Sequence, residues 1–132
     1  MPRKKSQTLT DSELRIMDVL WDKGQGSVKD VTEILAVSDQ PVAYNTVLTM
    51  LRILHEKGYV NYFKEGRAFI YEPLLAREQA SAKAARHLLR RFFDGSPSLL
   101  VQNLMEREEI PPEEMARLKD LIADEEMDEE RK

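Results

Sequence analysis

Between positions 42 and 57 the short polar side chains of Asn45, Thr46 and Thr49 and the guanidinium of Arg52 recur at helical spacing. Their hydrogen-bonding chemistry suits nucleotide edges and phosphates. Asn45 offers the donor and acceptor pair that matches an adenine N6/N7 edge, and Thr46 and Thr49 can reach bases or phosphates. Arg52 is suited to phosphate or guanine, and Leu48 to a thymine methyl group. Other chemistries find less support. There is no Cys, which removes disulfides, thiolate zinc sites, Fe–S clusters and cysteine nucleophiles. His55 and His87 stand far apart in the chain, each read as a surface or cap residue. The carboxylates of Glu125-Glu126 and Glu129-Glu130 fall in an acidic terminal run with no pocket to shift their pKa values. Gly24-Gln25-Gly26 lacks the preceding strand and third glycine of a nucleotide loop. No enzyme, metal or cofactor is expected.

The elements that must position these residues are well signalled. Thr10 with Glu13 makes a capping box, and Leu9 with Leu14 a hydrophobic staple, so a first helix is expected over 11–22 with Leu14, Ile16, Met17, Leu20 and Trp21 on its apolar side. Ser27 with Asp30 caps a second helix over 28–36, and Val28, Val31 and Leu35 mark its buried stripe. Pro41 then forces a break, because it lacks an N–H and pushes Gln40 out of the α region. A third helix is expected over 42–57. Its wheel gathers Ala43, Val47, Met50, Leu51 and Leu54 on one face, with Asn45, Thr49, Arg52 and Glu56 opposite, and Thr46 and Leu48 flanking them. Lys57-Gly58 supplies a C-terminal cation and a left-handed glycine.

From Tyr59 the period changes from 3.6 to 2. Two aromatic and β-branched arms, 59–64 and 67–72, flank a short Gly66 turn, and Pro73 stops the second arm. Three helices followed by a hairpin is the element order of a winged helix-turn-helix. Lys64 and Arg67 at the wing tip, and Arg3, Lys4 and Lys5 in the N-terminal arm, place cations on both sides of the third helix. Lys64 and Arg67 are equally suitable as edge-strand protectors.

The chain has 132 residues and a formal charge of −4, but the acid is terminal: 12 of its 24 acidic residues lie after position 103. The global charge therefore does not weigh against DNA. No apolar run of membrane-spanning length and no apolar leader is present, so a soluble cytoplasmic protein is expected. Beyond Pro73, one long helix over 74–93 carries Leu88, Leu89 and Phe92 on its apolar side. Ser96-Pro97 opens a second with Leu100 and Leu104, and Pro111-Pro112 a third with Leu118, Leu121 and Ile122. Residues 124–132 are expected to fray. Three helices with one apolar stripe each close a poor core alone, so these eight residues are expected to form a homodimer interface. The fold expected is mainly α with a small β-hairpin wing: a winged helix-turn-helix over 1–73 and a three-helix dimerisation region over 74–123. A two-fold dimer would set its third helices in successive major grooves.

The segments Leu9-Thr10-Asp11-Ser12-Glu13-Leu14 through Val19-Leu20-Trp21, Val42-Ala43-Tyr44-Asn45-Thr46-Val47-Leu48-Thr49-Met50-Leu51 and Leu54-His55-Glu56-Lys57-Gly58-Tyr59-Val60 resemble the penicillinase-repressor (BlaI/MecI) family. The resemblance runs nearly end to end. It implies a dimeric repressor on a dyad-symmetric operator, with the third-helix positions around Asn45, Thr46, Leu48 and Thr49 reading the groove. Asn45 and Leu48 stand where members can carry basic residues, which leaves the operator sequence open. The resemblance also implies release by a sensor-activated protease at an Asn–Phe bond; the bond at that position here is Asn103-Leu104. The cysteine-held metal of copper-responsive relatives has no ligands in this chain. Two other readings stay open on the residues alone: a winged helix that docks a protein partner, and a regulator switched by a small ligand in the helical half.

Overall fold

The computed structural model describes residues 8–131, and the arm cations Arg3, Lys4 and Lys5 lie outside them. In chain order the elements are α1 (Asp11–Lys23), β1 (Gly26–Ser27), α2 (Val28–Ala36), α3 (Tyr44–Lys57), β2 (Val60–Glu65), β3 (Ala68–Pro73), α4 (Arg77–Phe92), α5 (Pro97–Glu106) and α6 (Pro112–Glu130). The fold is mainly α with an antiparallel wing. Both capping boxes form: Thr10 Oγ1 accepts from the Glu13 N–H while Glu13 accepts from the Thr10 N–H, and Ser27 with Asp30 repeats the exchange on α2.

The packing divides the chain into two compact units, split between His87 and Leu88. In the first, α1, α2 and α3 bury Ile16, Met17, Leu20, Val31, Val47, Leu51 and Leu54 around Tyr59 and Val60. Leu51 has no exposed surface, so Leu51→Ala is expected to cost about 2–5 kcal/mol of unfolding free energy, read by urea denaturation. The sheet has the order β1-β3-β2. Gly26 and Ser27 pair with Tyr71 and Ile70, so the hairpin is anchored to the turn that precedes α2.

Several boundaries and burials differ from expectation. Helix α3 starts at Tyr44, with Ala43 as its extended N-cap, and Ala43 is exposed instead of buried. Leu14 is also exposed; the face of α1 turned to the core is that of Ile16, Met17 and Leu20. The break in packing falls inside α4 and not at Pro73, because the start of α4 is pinned to α1. Trp21 Nε1 donates to the Leu75 carbonyl at 2.8 Å, Arg77 bridges Asp18 and Asp22 and stacks on Trp21, and Ala80 is buried. Residues 124–130 do not fray but continue α6 to Glu130. Glu and Met are good helix formers, and Pro112 with Glu113 and Glu114 gives α6 a favourable first turn.

The second unit holds α5, α6 and the end of α4. None of its described residues is buried, and Phe92, Leu121 and Ile122 are 66%, 55% and 60% exposed. Its apolar side chains therefore have no interior of their own to occupy.

Candidate nucleic-acid interface

One face of α3 is sealed by Val47, Leu51 and Leu54, and the 3.6-residue period then turns Asn45, Thr46, Thr49, Arg52 and Glu56 to solvent. Thr49 Oγ1 donates to the Asn45 carbonyl one turn back, at 2.9 Å. Its hydroxyl thus presents acceptor lone pairs and the side chain a methyl group to an approaching molecule. Leu48 is not the free outward group expected. It is half-buried against the core where α3 meets the wing, in a depression of about 290 Å³ that it lines with Arg52, His55, Tyr62, Phe69 and Tyr71.

The wing is fastened to α3 by aromatic contacts. Tyr62 pairs with Tyr71 and Lys64 with Phe69 across β2 and β3, which puts these four on one side of the hairpin. The Tyr62 ring meets His55 edge-on at 4.9 Å and Phe69 at 5.3 Å. Burial raises the Tyr71 hydroxyl pKa, and the charge of Arg52 only partly offsets this. Lys64 and Arg67 are exposed on either side of the turn at Gly66, whose φ of 62° is left-handed. Among the described residues, Arg52, Lys64 and Arg67 make no ion pair that would neutralise them.

Two further residues belong to this surface and were not singled out by sequence. Tyr44, half-exposed at the first turn of α3, and Lys29, at the start of α2, line a second depression with Leu48, Arg52, Arg67 and Phe69. Tyr44 sits one turn before Leu48 and two before Arg52, so the spacing 44-48-52 carried the signal.

The far end of α3 is locked from inside. Lys57 Nζ lies 2.8 Å from Glu13 Oε1 and 3.0 Å from the Thr8 carbonyl, and the two charged side chains are only 6% and 5% exposed. Burial pushes the Glu13 pKa up, but the Lys57 ammonium and the Thr10 N–H and hydroxyl together hold it below its ordinary 4.5. Gly58, with φ of 86°, then ends α3 as expected.

In the second unit, Asn103 and Leu104 are half-buried within α5, and the Asn103 carbonyl accepts the Arg107 N–H. Leu88, Leu89, Phe92, Leu100, Leu104, Leu118, Leu121 and Ile122 are all half-buried or exposed. No group of three or more potential metal ligands occurs among the described residues, and no helix there is long and apolar enough to cross a membrane.

The family model described as penicillinase repressor matches residues 9–124. This chain belongs to the penicillinase repressor family. Among its relatives, the "Penicillinase repressor" of Bacillus licheniformis is 29% identical over 119 residues, covering 90% of this chain and 92% of that protein. The "Transcriptional regulator BlaI" of Mycobacterium tuberculosis is 32% identical over 101 residues, covering 75% and 72%. A solution structure of the DNA-binding domain of the repressor BlaI matches with a TM-score of 0.50 and 32% identity, over 58% of this chain and 93% of that one. As a member of this family with its fold, the chain is a DNA-binding winged-helix transcriptional regulator and not an enzyme.

Proposed function

We propose that this penicillinase-repressor family member acts as a homodimer that occupies a dyad-symmetric operator and blocks transcription there. Helix α3 lies in the major groove, with Asn45, Thr46 and Thr49 at base edges, Leu48 and Tyr44 at the apolar margin, and Arg52 at phosphate or guanine. The wing cations Lys64 and Arg67, and Arg3, Lys4 and Lys5 of the arm, grip the flanking backbone. The observation that carries this reading is the exposed polar face of α3 bordered by unneutralised cations. The dimer is carried by the second unit, in which Leu88, Leu89, Phe92, Leu100, Leu104, Leu118, Leu121 and Ile122 are all half-buried or exposed.

Such a protein works in the cytoplasm, where the DNA is. Footprinting the pure protein on the DNA upstream of its own gene is the test. Two protected half-sites related by a dyad, about 10 bp apart centre to centre or a multiple of this, are expected. No protection on that DNA, with retention of a protein partner instead, would favour a docking module.

Release by a sensor-activated protease at Asn103-Leu104 is the finer part of the proposal. The bond lies inside a helix, so cutting requires α5 to unwind locally first. Mass spectrometry of fragments from induced cells should show a chain ending at Asn103; an intact chain in derepressed cells contradicts cleavage as the switch.

A further inference from the structure

On α6 the apolar stripe does not stop where apolar residues do. Leu118, Leu121 and Ile122 line one shallow groove together with Glu125, Glu126 and Glu129, so the same side of the helix passes from alkyl groups to carboxylates. The stretch is at odds with its own helix. Asp124 and Asp128, Glu125 and Glu129, and Glu126 and Glu130 are like-charged neighbours one turn apart, and they lie toward the end of the helix where the dipole favours cations.

The opposite charge sits on α4. Around that helix Leu88, Phe92 and Leu89 share one side, and Arg91 and Arg86 stand at its two margins. The Arg91 guanidinium lies over the Phe92 ring at 5.2 Å. None of Arg86, Arg91, Glu125, Glu126 and Glu129 makes an ion pair among the described residues.

We propose that the acidic end of α6 docks on a second copy of this chain, Glu125, Glu126 and Glu129 meeting Arg86 and Arg91 beside the partner's apolar α4 stripe. The occupant is fixed by two observations: the apolar stripe that would enter the dimer interface is continuous with the carboxylates, and the complementary cations flank the matching stripe of the same chain. The proposal rests on the homodimer reading above and adds its orientation and specificity. Exposed ion pairs contribute little to affinity singly, but reversed charges placed against each other at an interface repel and so select the pairing.

Sedimentation equilibrium of the full chain without DNA is the test. Arg86→Glu/Arg91→Glu is expected to weaken the dimer at least about tenfold with the far-UV circular dichroism unchanged. Glu125→Lys/Glu126→Lys/Glu129→Lys should do the same. Mixing the two variant chains should restore native affinity, because both contacts of the heterodimer again join opposite charges. Variant homodimers as tight as the native one overturn the proposal, as do weakened chains that mixing does not rescue, the result that pairing within one chain would give. Ile122→Glu tests the underlying dimer reading separately. It should leave monomer, whereas a native dimer would remove the apolar stripe from the interface and the proposal with it.

Discussion

Lys57→Met is expected to lower the unfolding free energy by about 3–5 kcal/mol, because it strands a carboxylate in the interior. Glu13 would keep its capping bonds to Thr10 but lose the ammonium 2.8 Å away while its side chain stays 5% exposed. The double variant Glu13→Gln/Lys57→Met should recover much of that loss, since Gln still serves the capping box and no charge remains to be paired. Urea denaturation of the native chain, Lys57→Met, Glu13→Gln and the double variant gives the coupling directly.

The pH dependence has a sign of its own. The Glu13 pKa is lowered in the fold, so the unfolded chain takes up the proton first on acidification. The stability it contributes is complete above 4.5 and is lost as pH falls through the lower folded value. Without Lys57 only the Thr10 bonds oppose the effect of burial, so the folded pKa moves up from its native position. In that variant acidification therefore costs less stability than in the native chain. A shallower loss of stability below pH 4.5 is expected for Lys57→Met than for the native protein. Parallel curves would mean that Glu13 and Lys57 are not coupled.

The second large effect concerns salt. If a dimer neutralises about 6–10 phosphates, operator affinity should fall by roughly 10³–10⁵ between 50 and 200 mM salt. Lys64→Gln and Arg67→Gln should each flatten that dependence by about one phosphate contact per protomer, with little change in preference among operator sequences. Anisotropy titrations of a labelled operator measure both. A flat profile would take the wing cations off the DNA.

The elements that carry local signals were legible in the sequence. Thr10-Glu13 and Ser27-Asp30 announced two helix starts, and the exposure of Asn45, Thr46, Thr49 and Arg52 followed from a 3.6-residue period with Val47, Leu51 and Leu54 beneath. What escaped depends on residues distant in the chain or on segments too short for a period. The strand Gly26–Ser27 has two residues and exists only because β3 offers an edge. Lys57 reads locally as a helix C-terminal cation, yet its main partner is Glu13, 44 positions earlier. Leu48 lies on the outer side of the α3 wheel, yet it is half-buried against the core beside the distant wing residues Tyr62, Phe69 and Tyr71. The acidic run 124–130 reads as unstructured by charge alone, but its four Glu and one Met are good helix formers that continue a well-started helix.

The outer face of α3 meets DNA in the proposed complex, and substitutions on that face test this contact most directly. Thr49 and Arg52 are exposed and support no core contact, so Thr49→Asp and Arg52→Glu should leave the melting temperature near that of the native chain. Their affinity for the duplex upstream of the gene is expected to fall by about two orders of magnitude or more, from lost base or phosphate contacts and added repulsion. Folded variants that bind this duplex as tightly as the native protein would contradict the placement of α3 against DNA.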